Sequence, residues 1–92
     1  MMPLNLSNSA ALGRTYAAAR MMAGIDQASL AERAGISAGT VSNVERGRDS
    51  KADTLRAIRR ALSQEGVLIA FSRNNGLASV SIAFASDDEE DD

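Results

Sequence analysis

Residues 27–47, QASLAERAGISAGTVSNVERG, read as two short helices joined by a tight turn. Leu30, Ala31 and Ala34 form an apolar stripe that stops at Gly35, and a second series, Val41, Val44 and Glu45, begins behind Ser37. Asp26 and Ser37 stand where a side-chain oxygen accepts the orphan N–H groups that open a helix. Gly35 can take the positive φ that a sharp helix–helix connection demands. The spacing therefore predicts helices over residues 27–34 and 38–45. On the second of these, Val41 and Val44 point one way. Ala38, Gly39, Thr40, Ser42 and Asn43 are small or uncharged, and they lie near its N-terminus or on its outer face. Such a face can come close to the edges of bases.

Outward from this pair, Asn8 or Ser9 can cap a helix running to about Met22, with Leu12, Tyr16, Ala19 and Met22 at inward spacing. Ser50 followed by Asp53 resembles a capping box ahead of Leu55, Ile58, Ala61 and Leu62, which predicts a helix over residues 51–64. After Gly66 the period becomes two. Val67, Ile69 and Phe71 alternate with Leu68 and Ala70, and Ala78, Val80, Ile82 and Phe84 alternate with Ser79 and Ser81. Asn74-Asn75-Gly76 lies between the two runs, which is a hairpin signal. A lone two-stranded hairpin is marginal in water, so its apolar face needs cover. That cover is either the chain's own helices or another chain. The second is the expectation, with the strands of two subunits joined across a twofold axis and Val67, Ile69, Phe71, Val80, Ile82 and Phe84 as the dimerisation residues.

The 92 residues carry a formal charge of -2, with ten basic and twelve acidic groups. Six of the acids are consecutive, residues 87–92, DDEEDD; the preceding 86 residues are therefore at +4. Six adjacent like charges repel and resist burial, which predicts a disordered acidic tail, solvating or competing with DNA for the basic face. Cys and His are absent. This removes thiol nucleophiles, disulfides, the usual zinc sites and histidine acid–base catalysis, so no enzyme, cofactor or metal is expected. No apolar run approaches the roughly 20 residues that cross a bilayer, and no basic-then-apolar leader opens the chain, so a cytoplasmic location is expected. A chain this short leaves little room for a large core, which favours self-association. The arginines Arg14, Arg33, Arg56, Arg59 and Arg60 read as solvated surface charges.

Together these residues resemble the helix-turn-helix family of Cro and the lambda-type repressors, also called the XRE family. The family pattern, an arginine in the first helix and then LTQxxLAxxxGVSxxxISxxExG, corresponds here to Arg20, Ile25-Asp26-Gln27, Leu30-Ala31, Gly35-Ile36-Ser37, Val41-Ser42 and Glu45-x-Gly47. The resemblance covers residues 12–62. Two positions depart: Asp26 stands for the usual Thr or Ser and adds a negative charge near DNA, and Ala52 stands where the family often has Pro. The resemblance implies a mainly α fold, a lambda-repressor-like helical domain with a C-terminal β-strand or β-hairpin extension. It implies that Gln27 and Ser37 touch phosphate at helix N-termini, as do Arg46, Arg48 and Lys51 after the recognition helix. Ala38, Gly39, Thr40, Ser42 and Asn43 match base-reading positions, Asn43 being suited to pair bidentately with adenine. Arg20 and Glu45 match a structural ion pair.

The expected organisation is a flexible arm over residues 1–8, the helix-turn-helix domain over 9–65, a dimerising hairpin over 66–86 and the disordered acidic tail over 87–92. The expected function is that of a dimeric repressor on double-stranded DNA with a palindromic operator. A helical headpiece followed by strands and a polar tail is also similar in organisation to HipB-type antitoxins, which implies a toxin kinase or other protein as a further partner. The alternative is a protein-interaction module that uses the hairpin and tail, with the helix-turn-helix as scaffold.

Overall fold

The computed structural model describes residues 8–49 and 51–86. Of the expected arm over residues 1–8, residues 1–7 lie outside the described residues, as do Ser50 of the expected capping box and the acidic tail, and Asn8 is the first residue of a helix. Four helices come first, α1 (Asn8–Ala23), α2 (Gln27–Ala34), α3 (Ala38–Glu45) and α4 (Ala52–Gln64). Two strands follow, β1 (Val67–Asn74) and β2 (Leu77–Phe84). The fold is mainly α with an antiparallel hairpin at its C-terminal end.

Local chemistry accounts for the element ends. Asp26 Oδ1 accepts the Ser29 N–H at 2.8 Å, and Ser37 Oγ accepts that of Thr40 at 3.0 Å, so each helix of the central pair opens on a side-chain cap. Gly35 closes α2 in the left-handed region at φ 74°, and the Ile36 N–H reaches back to the Ala31 carbonyl at 3.0 Å. The residue preceding α4 is Lys51, which makes no side-chain cap; its own N–H donates to Asp49 Oδ1 at 3.0 Å. Asp53 is paired with Arg56. Asn75 and Gly76, at φ 55° and 79°, form the two-residue hairpin turn.

Leu30 of α2, Val41 and Val44 of α3, and Ile58 and Leu62 of α4 are fully enclosed, and Tyr16 and Ala19 bring α1 onto them. Met22, expected to point inward, is 47 % exposed. The inward stripe of α1 runs through Tyr16, Ala19 and the partly buried Ala23; at 3.6 residues per turn Met22 lies about 90° off its centre. Gly13 and Gly47 mark a close backbone approach between α1 and the end of α3. A Cβ on Gly13 would stand 2.6 Å from the Glu45 carbonyl oxygen, and one on Gly47 would stand 2.8 Å from the Ser9 carbonyl oxygen. The first turns of α1 are thereby seated against the end of α3.

The hairpin pairs Val67 with Phe84, Ile69 with Ile82, Phe71 with Val80 and Arg73 with Ala78. Cross-strand partners share a face. At the base of that face Val67 and Ile69 are buried in the same core as the helices, with Ile82 partly buried against it. Farther out Phe71 is 41 % exposed, as is Val80 to a similar degree. The six residues expected at a dimer interface are thus divided, because the headpiece covers only part of this face, the start of β1 with Ile82 beside it. Val67 and Ile69 are taken up by the chain's own core and Ile82 is partly buried against it, whereas Phe71, Val80 and Phe84 stay exposed.

Candidate nucleic-acid interface

The recognition candidate is α3, and its two faces are separated by burial. Val41 and Val44 are turned into the core. Ala38, Gly39 and Asn43 are exposed, and Thr40 and Ser42 are half-buried. The Thr40 hydroxyl lies 2.9 Å from Ser37 Oγ, which also accepts the Thr40 N–H, so capping holds both side chains at the start of the helix. A Cβ on Gly39 would meet nothing nearer than Ser37 Oγ at 3.8 Å, which leaves open backbone surface at that position. Caps on Thr40 and Ser29 leave the first two N–H groups of α3 and of α2 pointing away from any intrahelical acceptor, the donors that a phosphate oxygen takes.

Behind this surface, three helices meet at one carboxylate. Glu45 Oε2 accepts from Arg20 Nε at 2.7 Å, and Oε1 accepts from Arg20 Nη2 at 3.1 Å and from Gln27 Nε2 at 2.9 Å. Arg20 Nη1 donates in addition to the Ile25 carbonyl at 3.0 Å. The two charged side chains are only 13 % and 8 % exposed. The Glu45 carboxylate bonded to it raises the Arg20 guanidinium above its ordinary pKa, against the opposing effect of burial. This network ties α1 and the start of α2 to the last residue of α3, so the C-terminal end of that helix is fixed against both. The Ser29 N–H, donating to Asp26, lowers that carboxyl below its usual range and keeps it charged beside the α2 N-terminus.

The other expected contacts are placed as follows. Gln27 commits one amide N–H to Glu45, leaving its second N–H and the backbone of the first turn for phosphate. Arg46 is the residue closing α3, and the Arg48 N–H is bonded to the Asn43 carbonyl at 2.8 Å. Both side chains, and that of Lys51, are exposed. The Gln27–Glu45 bond and the Gly13–Gly47 approach were not anticipated from sequence. The isolated glycine inside α1 is the one signal that pointed to close packing there.

A family model described as helix-turn-helix matches residues 17–64, more than half of the chain and all of α2, α3 and α4. The chain belongs to the Cro/lambda-repressor (XRE) type of helix-turn-helix family. It is accordingly a DNA-binding transcription regulator. No curated protein matches it. Among the described residues no helix is long and apolar enough to cross a membrane.

Proposed function

We propose that this helix-turn-helix protein is a dimeric, cytoplasmic repressor that reads a palindromic operator with α3, and that autoregulation as an antitoxin is its biological form. The observation that carries the reading is the outward set Ala38, Gly39, Thr40, Ser42 and Asn43 on a helix anchored by the Arg20–Glu45–Gln27 network. Small side chains let the helix enter the major groove, and the Asn43 amide offers the donor and acceptor that adenine complements. The exposed cations Arg46, Arg48 and Lys51 supply sequence-independent phosphate contacts. Dimerisation draws on the exposed apolar residues of the hairpin, Phe71 and Val80 in its outer half and Phe84 at its base. Two copies then present their recognition helices about 34 Å apart, one turn of DNA.

Selection from random duplex DNA at fixed salt tests this reading. Enrichment of a palindrome with half-sites about one helical turn apart is the expected result. With folded protein and no enrichment, recognition of a protein partner through the hairpin and tail takes first place. Two substitutions separate base reading from charge. Asn43→Ala should weaken the preferred operator by about 1–3 kcal/mol and relax choice at one position. Arg48→Ala should weaken all DNA alike and lower the salt slope by about one.

A further inference from the structure

Between the outer half of the hairpin and the helices lies an open groove of about 710 Å³. One wall is Phe71 and Val80, the other Leu12 and Leu55. Its polar side chains include three arginines, Arg56, Arg59 and Arg73, and among the described residues no carboxylate lines it. Arg59 donates to the Ile69 carbonyl at 3.0 Å and sets its guanidinium 5.4 Å from the centre of the Phe71 ring. Arg56 pairs with the exposed Asp53, and Arg73 forms no ion pair among the described residues. An apolar cleft whose charged lining residues are all arginines is matched by a segment that is apolar first and acidic next. The chain contains one such segment: Phe84-Ala85-Ser86 followed by the six carboxylates of residues 87–92.

From these complementary surfaces we infer that the groove of each copy receives Phe84 and the acidic residues 87–92 of a second copy. The inference rests on the twofold dimer proposed above and follows from strand geometry. Among the described residues β2 has no neighbour on its outer edge. If two β2 strands pair there antiparallel about an axis normal to the sheet, like faces stay on one side, so even-numbered residues meet even-numbered ones. The strand's midpoint lies between Val80 and Ser81. The two nearest registers place Phe84 of the second copy opposite Ala78, which lines the groove, or opposite Gly76 in the turn next to it. Phe84, 64 % exposed in one copy, thereby gains apolar cover. Ala78 is itself paired with Arg73. The chain that follows Phe84 in the second copy leaves the sheet about 10 Å, two strand spacings, from that arginine, and six extended residues reach up to roughly 20 Å, enough to return along the rim.

Sedimentation equilibrium at low and high salt tests this, using the full chain, a chain lacking residues 87–92, and Arg56→Glu/Arg73→Glu, with circular dichroism to confirm folding. Tail removal and the arginine reversal should each raise the dimer Kd about tenfold at low salt and remove most of its salt dependence, the scale of several exposed ion pairs formed twice. An equimolar mixture of the tail-less and arginine-reversed chains should form heterodimers tighter than either homodimer, because one groove again faces an intact tail. A tail-less dimer with unchanged Kd and salt dependence would overturn the docking and leave the hairpin dimer standing. Heterodimers no tighter than the homodimers would overturn the exchange between copies. A full chain that stays monomeric at every concentration would remove the dimer reading and this inference with it.

Discussion

The helical headpiece and the hairpin are built from equally regular apolar patterns, yet they differ in how far burial follows the pattern. In the headpiece each stripe meets another: Leu30 of α2, Val41 and Val44 of α3, and Ile58 and Leu62 of α4 close on one another completely. In the hairpin the alternating face is covered only in part. Leu68, Phe71, Leu77, Val80 and Phe84 are all exposed, whereas the exposed large apolar side chains of the headpiece are Met21 and Met22 at the end of α1. Periodicity defines which residues share a face, and what lies opposite decides whether that face is core or interface. The helical part thus closes on itself with Val67 and Ile69 of the hairpin, whereas the hairpin leaves large apolar side chains exposed on both faces, Phe71, Val80 and Phe84 on one and Leu68 and Leu77 on the other.

The largest effect should come from breaking the closed helical part. Leu30→Ala should destabilise the protein by about 2–5 kcal/mol in urea unfolding, because a fully enclosed leucine leaves a cavity that rigid neighbours fill poorly. A loss below about 1 kcal/mol would mean that the three-helix closure is looser than its burial implies. Glu45→Ala follows, at about 3 kcal/mol, since it strands the half-buried guanidinium of Arg20 and the Gln27 amide together. Operator affinity should fall with it, although Glu45 is not a proposed DNA contact. If stability dropped while operator affinity of the remaining folded protein was unchanged, the network would serve the fold without aiming α3.

These contrasts also explain what was legible in the sequence. The α2–α3 unit was readable because its determinants are local: Asp26 and Ser37 bond to N–H groups three residues on, and Gly35 bonds within the preceding turn. The hairpin's faces and turn were readable for the same reason, from alternation and Asn75-Gly76. What was not readable depended on where another element lies. Met22 sits at helical spacing from Ala19, but it lies to one side of the face that Tyr16, Ala19 and Ala23 turn to the core. Gln27 faces a carboxylate 18 positions away, across a helix boundary. Val67, Ile69 and Phe71 follow one rule of alternation, yet only the first two have a headpiece beneath them. Arg56 and Arg59, unremarkable as single surface charges, gain meaning only when the hairpin brings Arg73 to the same groove.

The smallest expected effect on folding is the one that sharpens the comparison most. Phe71→Ser removes a large apolar side chain from the same face as Val67 and Ile69, so a reading by pattern alone would expect a core-sized penalty. At 41 % exposure, with the Arg59 guanidinium rather than the packed core over its ring, the loss should stay near 0.5–1 kcal/mol. The consequence should fall instead on self-association, measured by sedimentation of the same folded variant, with a weaker dimer and a correspondingly weaker hold on a two-half-site operator. A penalty of 2 kcal/mol or more with self-association untouched would place the outer hairpin in the headpiece's core and withdraw it from any interface. Val67→Ala provides the internal reference, since its side chain is enclosed on the same strand four residues earlier and should behave like a headpiece residue, losing stability without a specific loss of pairing.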